Sequence, residues 1–253
     1  MKAKLIREWD TMHDMPQSKT RQIALASVLA AVYFVLRAIP TFQMIGVSGR
    51  FTAADFILTS VAIIAGTRSS VLAVVAGTIL AYPVRSPVFF GFDFVPGLVN
   101  VLAASLILSK RFLIVRGAYI IIMVAYLLSP YSLLFGYGYI PFTWLHIVAL
   151  AVLVSPMAER VPVWIARNDS HRVAAIATLA FVGTMLQHLA GGLLYETAVG
   201  LLGGISPSSF KQFWYAIFWL YPVERIVIVA LSTITATALL RSLRTWPSVP
   251  EQG

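Results

Sequence analysis

The stretch from Phe213 to Arg241, FWYAIFWLYPVERIVIVALSTITATALLR, constrains the fold of this chain more than any other. A helix needs about 20 apolar residues to cross a bilayer. This run is longer, yet it holds Pro222, Glu224 and Arg225. Ionisable groups in a membrane segment cost about 3 kcal/mol each unless they face protein, water or one another. Trp214, Trp219 and Tyr221 lie just before the Pro-Val-Glu-Arg step. Two readings follow. One is a Glu–Arg pair that fixes helix packing; the other is a polar floor beneath an aromatic-walled pocket. Neighbours on a helix point about 100° apart. One of the two charges is therefore expected to meet a partner on another helix, with Glu196 and His188 available, while the other faces the pocket. Pro222 is expected to leave the Phe218 carbonyl without its helical donor, free for ligand or water.

The whole chain agrees with a membrane setting. It is 59% hydrophobic and 11% charged, with a mean hydropathy of +0.84, more apolar than a soluble core requires. A first apolar run over 23–39 is followed by seven more, at about 52–67, 69–84, 94–109, 113–131, 140–158, 172–195 and 213–240. With the N-terminus inside, the inner segments hold fourteen basic residues: Lys2, Lys4, Arg7, Lys19, Arg21, Arg68, Lys110, Arg111, Arg116, Arg160, Arg167, Arg172, Arg241 and Arg244. The outer segments hold three, Arg50, Arg85 and Lys211. That asymmetry predicts an all-α, polytopic helical bundle of about eight spans in the plasma membrane, with both termini cytoplasmic. Residues 1–21 read as a basic amphipathic segment on the inner face, 22–241 as the transmembrane domain and 242–253 as a cytoplasmic tail. The second and third spans are short and meet at Gly66-Thr67-Arg68-Ser69. The net charge of +9 falls in clusters between apolar runs, which points to membrane lipid and not to nucleic acid as the partner of the basic residues. No cysteine is present, so disulfides and thiolate chemistry are excluded.

Polar residues inside apolar runs are the candidates for function. Asn100 either hydrogen-bonds a neighbouring helix or reads a ligand. Gln187 and His188 precede Gly191, Gly192, Tyr195 and Glu196, and i, i+4 spacing places part of this set on one helix face. Asp55 suits a helix start, and Asp93 suits an N-cap before Val95-Pro96. The glycine-bearing connection from Pro40 to Thr52 is fit to fold over a pocket. In the first span Ala26 with Ala30, and Ser27 with Ala31, form small-residue pairs that let another helix approach. A metal site has little support, because His146 has no second ligand near it in sequence. No HExxH, GxSxG or Walker motif occurs, so neither hydrolysis nor ATP turnover has visible machinery, and no cofactor is expected.

Several stretches together resemble a known family. ALASVLAAVYFVLRAIP, GRFTAADFILTSVAIIAGTRSSVLAVVAGTIL and GFDFVPGLVNVLAASLILSKR are similar to the first half of the substrate-binding (S) components of energy-coupling factor (ECF) importers. MLQHLAGGLLYE and YPVERIVIVALSTI are similar to their last two helices. The resemblance implies a protein that captures a vitamin or related micronutrient outside the cell. It then docks on a transmembrane coupling subunit with two ATPase subunits. It also implies a six-helix core, with residues 113–158 as an added hairpin. Carried onto this sequence, Ala26 and Ala30 become the coupling-subunit face and Thr41–Phe51 a lid. Asn100, Gln187, His188, Glu196, Trp219, Tyr221, Glu224 and Arg225 become the substrate site. The rivals are a stand-alone secondary transporter and an intramembrane enzyme using Glu224 or His188, though no enzymatic activity is expected.

Overall fold

A computed structural model describes residues 19–167 and 170–245. Most of the expected amphipathic segment over 1–21, and the tail beyond 245, lie outside the described residues. Among those described, nine α-helices carry the fold. In chain order they are α1 (Lys19–Arg37), α2 (Leu58–Leu80), α3 (Val95–Leu108), α4 (Phe112–Leu128), α5 (Trp144–Val154), α6 (Pro156–Ala166), α7 (Ser170–Tyr195), α8 (Pro207–Ile217) and α9 (Leu220–Thr245). The single addition to the all-helical expectation is an antiparallel hairpin of β1 (Pro40–Gln43) and β2 (Arg50–Thr52).

The central post is α7. Its sequence, SHRVAAIATLAFVGTMLQHLAGGLLY, is apolar around its whole circumference and rich in small residues, and such a helix belongs inside a bundle. It packs against α2, α3, α4, α5, α6 and α9. Close approach of α3 is allowed by Gly183, where a Cβ would come within 2.8 Å of the Asn100 side chain. By contrast, α1 and α9 turn most of their surface outward, exposing Val28, Val32, Val35, Val223, Ile226 and Ile234. Exposed apolar faces of this kind suit contact with lipid.

Length and composition qualify four helical segments as membrane spans: Lys19–Arg37, Ala53–Leu80, Ser170–Leu201 and Leu220–Leu243. There are five if α5 and α6, which meet at 68°, make one broken span. Val95–Leu108 and Phe112–Leu128 are apolar but shorter. The second segment is not one straight rod. Gly66 sits at φ 65°, ψ −178°, outside helical space. Ala30 belongs to one packed cluster with both Val61 and Ala73. Twelve residues of straight helix would separate those two by about 18 Å, so the chain turns back at Gly66. The two short arms read at Gly66-Thr67-Arg68-Ser69 are present, lying side by side against α1.

Three boundaries differ from the sequence reading. The run 140–158 breaks at Ser155, whose side chain accepts from the Met157 amide and caps α6 with Pro156 in its first turn. The expected inner connection from 159 is therefore helical as far as Ala166. The Phe213–Arg241 stretch is also two helices. Ser206 caps α8 through the Ser209 amide, and α8 ends at Ile217 before α9 begins at Leu220. Pro222 thus lies in the first turn of α9, where no helical donor is needed. The expectation of a Phe218 carbonyl robbed of its donor within one continuous helix is corrected, because Phe218 precedes α9.

The Ala26/Ala30 expectation is also corrected. Both side chains are buried within the chain, facing α2 together with Tyr33. A Cβ on Gly77 would sit 2.7 Å from the Ala30 carbonyl oxygen, so this face is already occupied. The other small pair, Ser27 and Ala31, is the exposed one.

Candidate functional site

One end of the bundle holds a cavity of about 120 Å3. The C-terminal end of α1, the N-terminal end of α3, the last turns of α7 and the first turns of α9 meet there, beneath the β-hairpin. Of the residues expected in a substrate site, Gln187, His188, Tyr221, Glu224 and Arg225 line it. The hairpin contributes Gln43, Met44, Ile45, Arg50, Phe51 and Thr52, so the connection does fold over a pocket. Gly46, at φ 80°, turns the hairpin tip close enough that a Cβ would lie 2.7 Å from the Tyr195 hydroxyl. That hydroxyl donates to the Ile45 carbonyl at 2.6 Å and ties the hairpin to α7.

The polar floor is built by a relay across three elements. Asn100 Nδ2 donates to Gln187 Oε1 at 2.7 Å, and Gln187 Nε2 donates to Asp55 Oδ1 at 2.7 Å. Asp55 is the third residue of the 3-10 turn Ala53–Ile57 and accepts the Thr52 amide at 3.4 Å through Oδ2. Asn100 therefore stands behind Gln187 and positions it, while only Gln187 and Asp55 reach the cavity. Arg225 lies beside this floor, its guanidinium carbon 4.4 Å from the centre of the Phe51 ring. Its Nη2 donates to Glu224 Oε2 at 3.3 Å. The expectation that the two charges would part company is corrected: both side chains are long enough to bend together at the start of α9.

The aromatic wall comes from α7, α8 and α9. Trp214, Tyr195, Phe213 and Tyr221 line the cavity. Tyr221 lies nearly parallel to His188 and His146, at 5.0 and 5.7 Å between ring centres. Its hydroxyl donates to the Phe142 carbonyl at 2.6 Å. Trp219 is corrected out of the site. It sits in the turn between α8 and α9, 57% exposed on the outer surface, packed edge-on to Phe218. Glu196 is buried but does not line the cavity. It belongs to a π turn after α7 and accepts Trp214 Nε1 at 3.2 Å, fixing the indole that does line it.

The segment 113–158 stands behind this wall. Tyr126 and Phe142 stack on one another, and Trp214 meets Tyr126 edge-on and Phe142 at a tilt. His146 Nε2 lies 2.9 Å from His188 Nδ1. The sequence reading, which left His146 without a neighbour, missed this contact between helices α5 and α7.

It missed further charged residues of the cavity lining. Arg37, Arg50, Arg85, Asp55 and Asp93 all line the site. Asp93 does not cap α3; its two oxygens accept the Val88 and Phe89 amides at 2.8 and 3.0 Å and brace the loop before it. Arg85, in the loop after α2, is held below the ordinary guanidinium range by burial and then by the nearby Arg37. A usable signal existed. Arg50 and Arg85 were two of the three basic residues on the sparsely charged side of the bundle, and Arg37 ended an otherwise apolar helix.

The abundant basic residues lie at the opposite helix ends. Lys19 and Arg21 begin α1, Arg68 sits at the Gly66 turn, Lys110 and Arg111 follow α3, Arg172 begins α7 and Arg241 is near the end of α9. The Ser69 hydroxyl reaches the Gln22 carbonyl at 3.3 Å, joining two of these ends directly. Compared with known proteins, the chain matches no family model, no curated protein and no solved structure.

Proposed function

We propose that this chain captures a small solute from outside the cell as the S component of an ECF-type importer. The carrying observation is a cavity roofed by a hairpin, walled by Trp214 and Tyr221 and floored by Gln187, Asp55 and Arg225. It opens at the helix ends away from the basic clusters. An apolar, aromatic enclosure with a few directed polar groups is how small-molecule sites combine area with orientation. On the positive-inside rule the cavity faces outward and both termini face the cytoplasm, in an eight-pass arrangement with the Gly66 arms as a pair of short passes. The cargo is a vitamin-like molecule. It is handed to a transmembrane coupling subunit driven by two ATPase subunits.

Docking on the coupling subunit is assigned to the outer face of α1. The pair open to a partner there is Ser27 and Ala31 in place of the buried Ala26 and Ala30.

Small molecules released from gently purified protein, identified by mass spectrometry, test the reading. A solute enriched over a Trp214→Ala, Arg225→Gln variant, and recovered chemically unchanged after incubation, supports it. Turnover of that solute by the purified chain supports instead an enzyme. Concentrative uptake by the chain alone in vesicles supports a stand-alone transporter.

A further inference from the structure

The charged groups around the cavity do not balance one another. Four arginines, Arg37, Arg50, Arg85 and Arg225, line it against three carboxylates, Asp55, Asp93 and Glu224. Asp55 accepts Gln187 and the Thr52 amide, Asp93 accepts two backbone amides, and Glu224 accepts Arg225. Arg50 is engaged too, donating to Gln43 Oε1 at 3.0 Å. Arg37 and Arg85 are left without a carboxylate partner, Arg37 with its guanidinium carbon 6.0 Å from the centre of the Tyr33 ring. Among the described residues neither comes within ion-pair distance of a carboxylate. Arg37 Nε is buried with no hydrogen-bond partner. Arg85 Nη1 reaches only the Arg37 carbonyl, at 3.5 Å, which brings the two side chains to one edge of the cavity. Two half-buried guanidinium groups drawn to one edge are better accommodated once a counter-charge arrives. Burial first, and Arg37 second, hold Arg85 below its ordinary value against the opposing pull of Asp55 and Asp93.

His188 adds a donor on the far side. Its Nδ1 is tied to His146 Nε2, so it meets the cavity with Nε2. His146 Nδ1 is buried without a partner. A buried orphan N–H is rarer than a buried orphan acceptor. The network therefore assigns the His146 proton to Nε2, donating to His188 Nδ1, and leaves His188 with an Nε2–H directed at the solute.

Resting on the solute-capture reading, we propose that the cargo is an acid: a small planar molecule whose anionic group sits at Arg37 and Arg85 while its ring lies against Trp214 and Tyr221. A carboxylate and a phosphate monoester share the needed chemistry. Both accept the forked donors of guanidinium groups.

The test uses purified full-length protein in detergent. Thermal shift and binding are measured with pyridine-, indole- and pterin-carboxylic acids, each against its own uncharged carboxamide. Pyridoxal phosphate is set against pyridoxal as the phosphate arm. Solute co-purifying with the wild type is identified in parallel. The expected result is that the co-purified solute is an acid, and that acids bind on the order of tenfold or more tightly than their neutral partners. That preference is expected to vanish in Arg37→Gln, Arg85→Gln and to survive in part in Arg37→Lys, Arg85→Lys. The phosphate arm says which anion is preferred. A neutral or cationic co-purified solute, or amides binding as well as acids to wild type, overturns the anion assignment and leaves solute capture standing. Neither comparison depends on a variant folding. No co-purified solute together with no binding by any probe overturns both readings.

Discussion

Gln187 is the residue on which the floor of the cavity depends, because it is at once the acceptor for Asn100 and the donor to Asp55. Replacing it with Leu leaves Asn100 Nδ2 without its acceptor and Asp55 Oδ1 without its donor, with only the Thr52 amide remaining at Oδ2. Removing a single partner leaves the full desolvation penalty behind, so Gln187→Leu is expected to destabilise the protein by about 3 kcal/mol. Asn100→Leu should cost less, since Gln187 keeps its bond to Asp55. The comparison is made by thermal unfolding in detergent, and equal losses would mean that the relay does not run through Gln187. Tyr195 is expected to act differently. Its hydroxyl holds the hairpin at Ile45, a single neutral hydrogen bond worth about 1 kcal/mol. Tyr195→Phe should barely shift unfolding while raising the solute off-rate several-fold and speeding hydrogen exchange at the hairpin amides. From the sequence, Asn100 and Gln187 stood out as polar residues in apolar runs. Their union with Asp55 did not, because 132 positions separate Asp55 from Gln187 and only the packing of α2 and its leading 3-10 turn against α7 and α9 brings them together.

Among the elements, the breaks matter more than the helices. Gly66 turns α2 back on itself in a region of backbone space open essentially to glycine, and an added Cβ would touch nothing within 4 Å. Gly66→Ala should therefore cost only backbone strain, about 2 kcal/mol, with no steric clash. A much larger loss in thermal unfolding would point to a contact at this turn. The apolar runs, the turn at Gly66 and a connection folding over the pocket were legible in the sequence, but not that this connection is a β-hairpin. The splits at Ser155 and Phe218 were not, because the apolar run continues through both and hydropathy is blind to the direction of the chain. For the same reason Trp219 read as a wall residue. Two positions after Ile217 the chain has left α8, and the indole turns to the outer surface. Burial also decides between the two small pairs of α1. Ala26→Leu, Ala30→Leu should disrupt folding, since these side chains pack on α2. Ser27→Leu, Ala31→Leu should leave folding and solute binding intact and weaken assembly with the proposed coupling subunit, read by co-purification. Loss of folding in the second variant would mean that this face is not free.

At the scale of the whole molecule, the basic residues gather at the helix ends away from the cavity, and few lie at the cavity end. A segment carrying several Lys or Arg is held on the cytoplasmic side during insertion. The side with Lys19, Arg21, Arg68, Lys110, Arg111 and Arg172 is therefore expected inside, and the cavity outside. The chain has no cysteine of its own, so single cysteines report without background. Ser209 and Leu202, both exposed near the cavity end, should react with a membrane-impermeant maleimide on intact cells. Ser109 and Ser170, exposed at the other end, should react only after permeabilisation. Because α1 and α9 both begin or end among the basic clusters, a tag on either terminus should likewise be reached only after permeabilisation. Labelling of Ser170→Cys on intact cells would invert the molecule and place the cavity on the cytoplasmic side. A solute captured there would be leaving the cell or passing to an enzyme within it, and the importer reading would fall with the orientation.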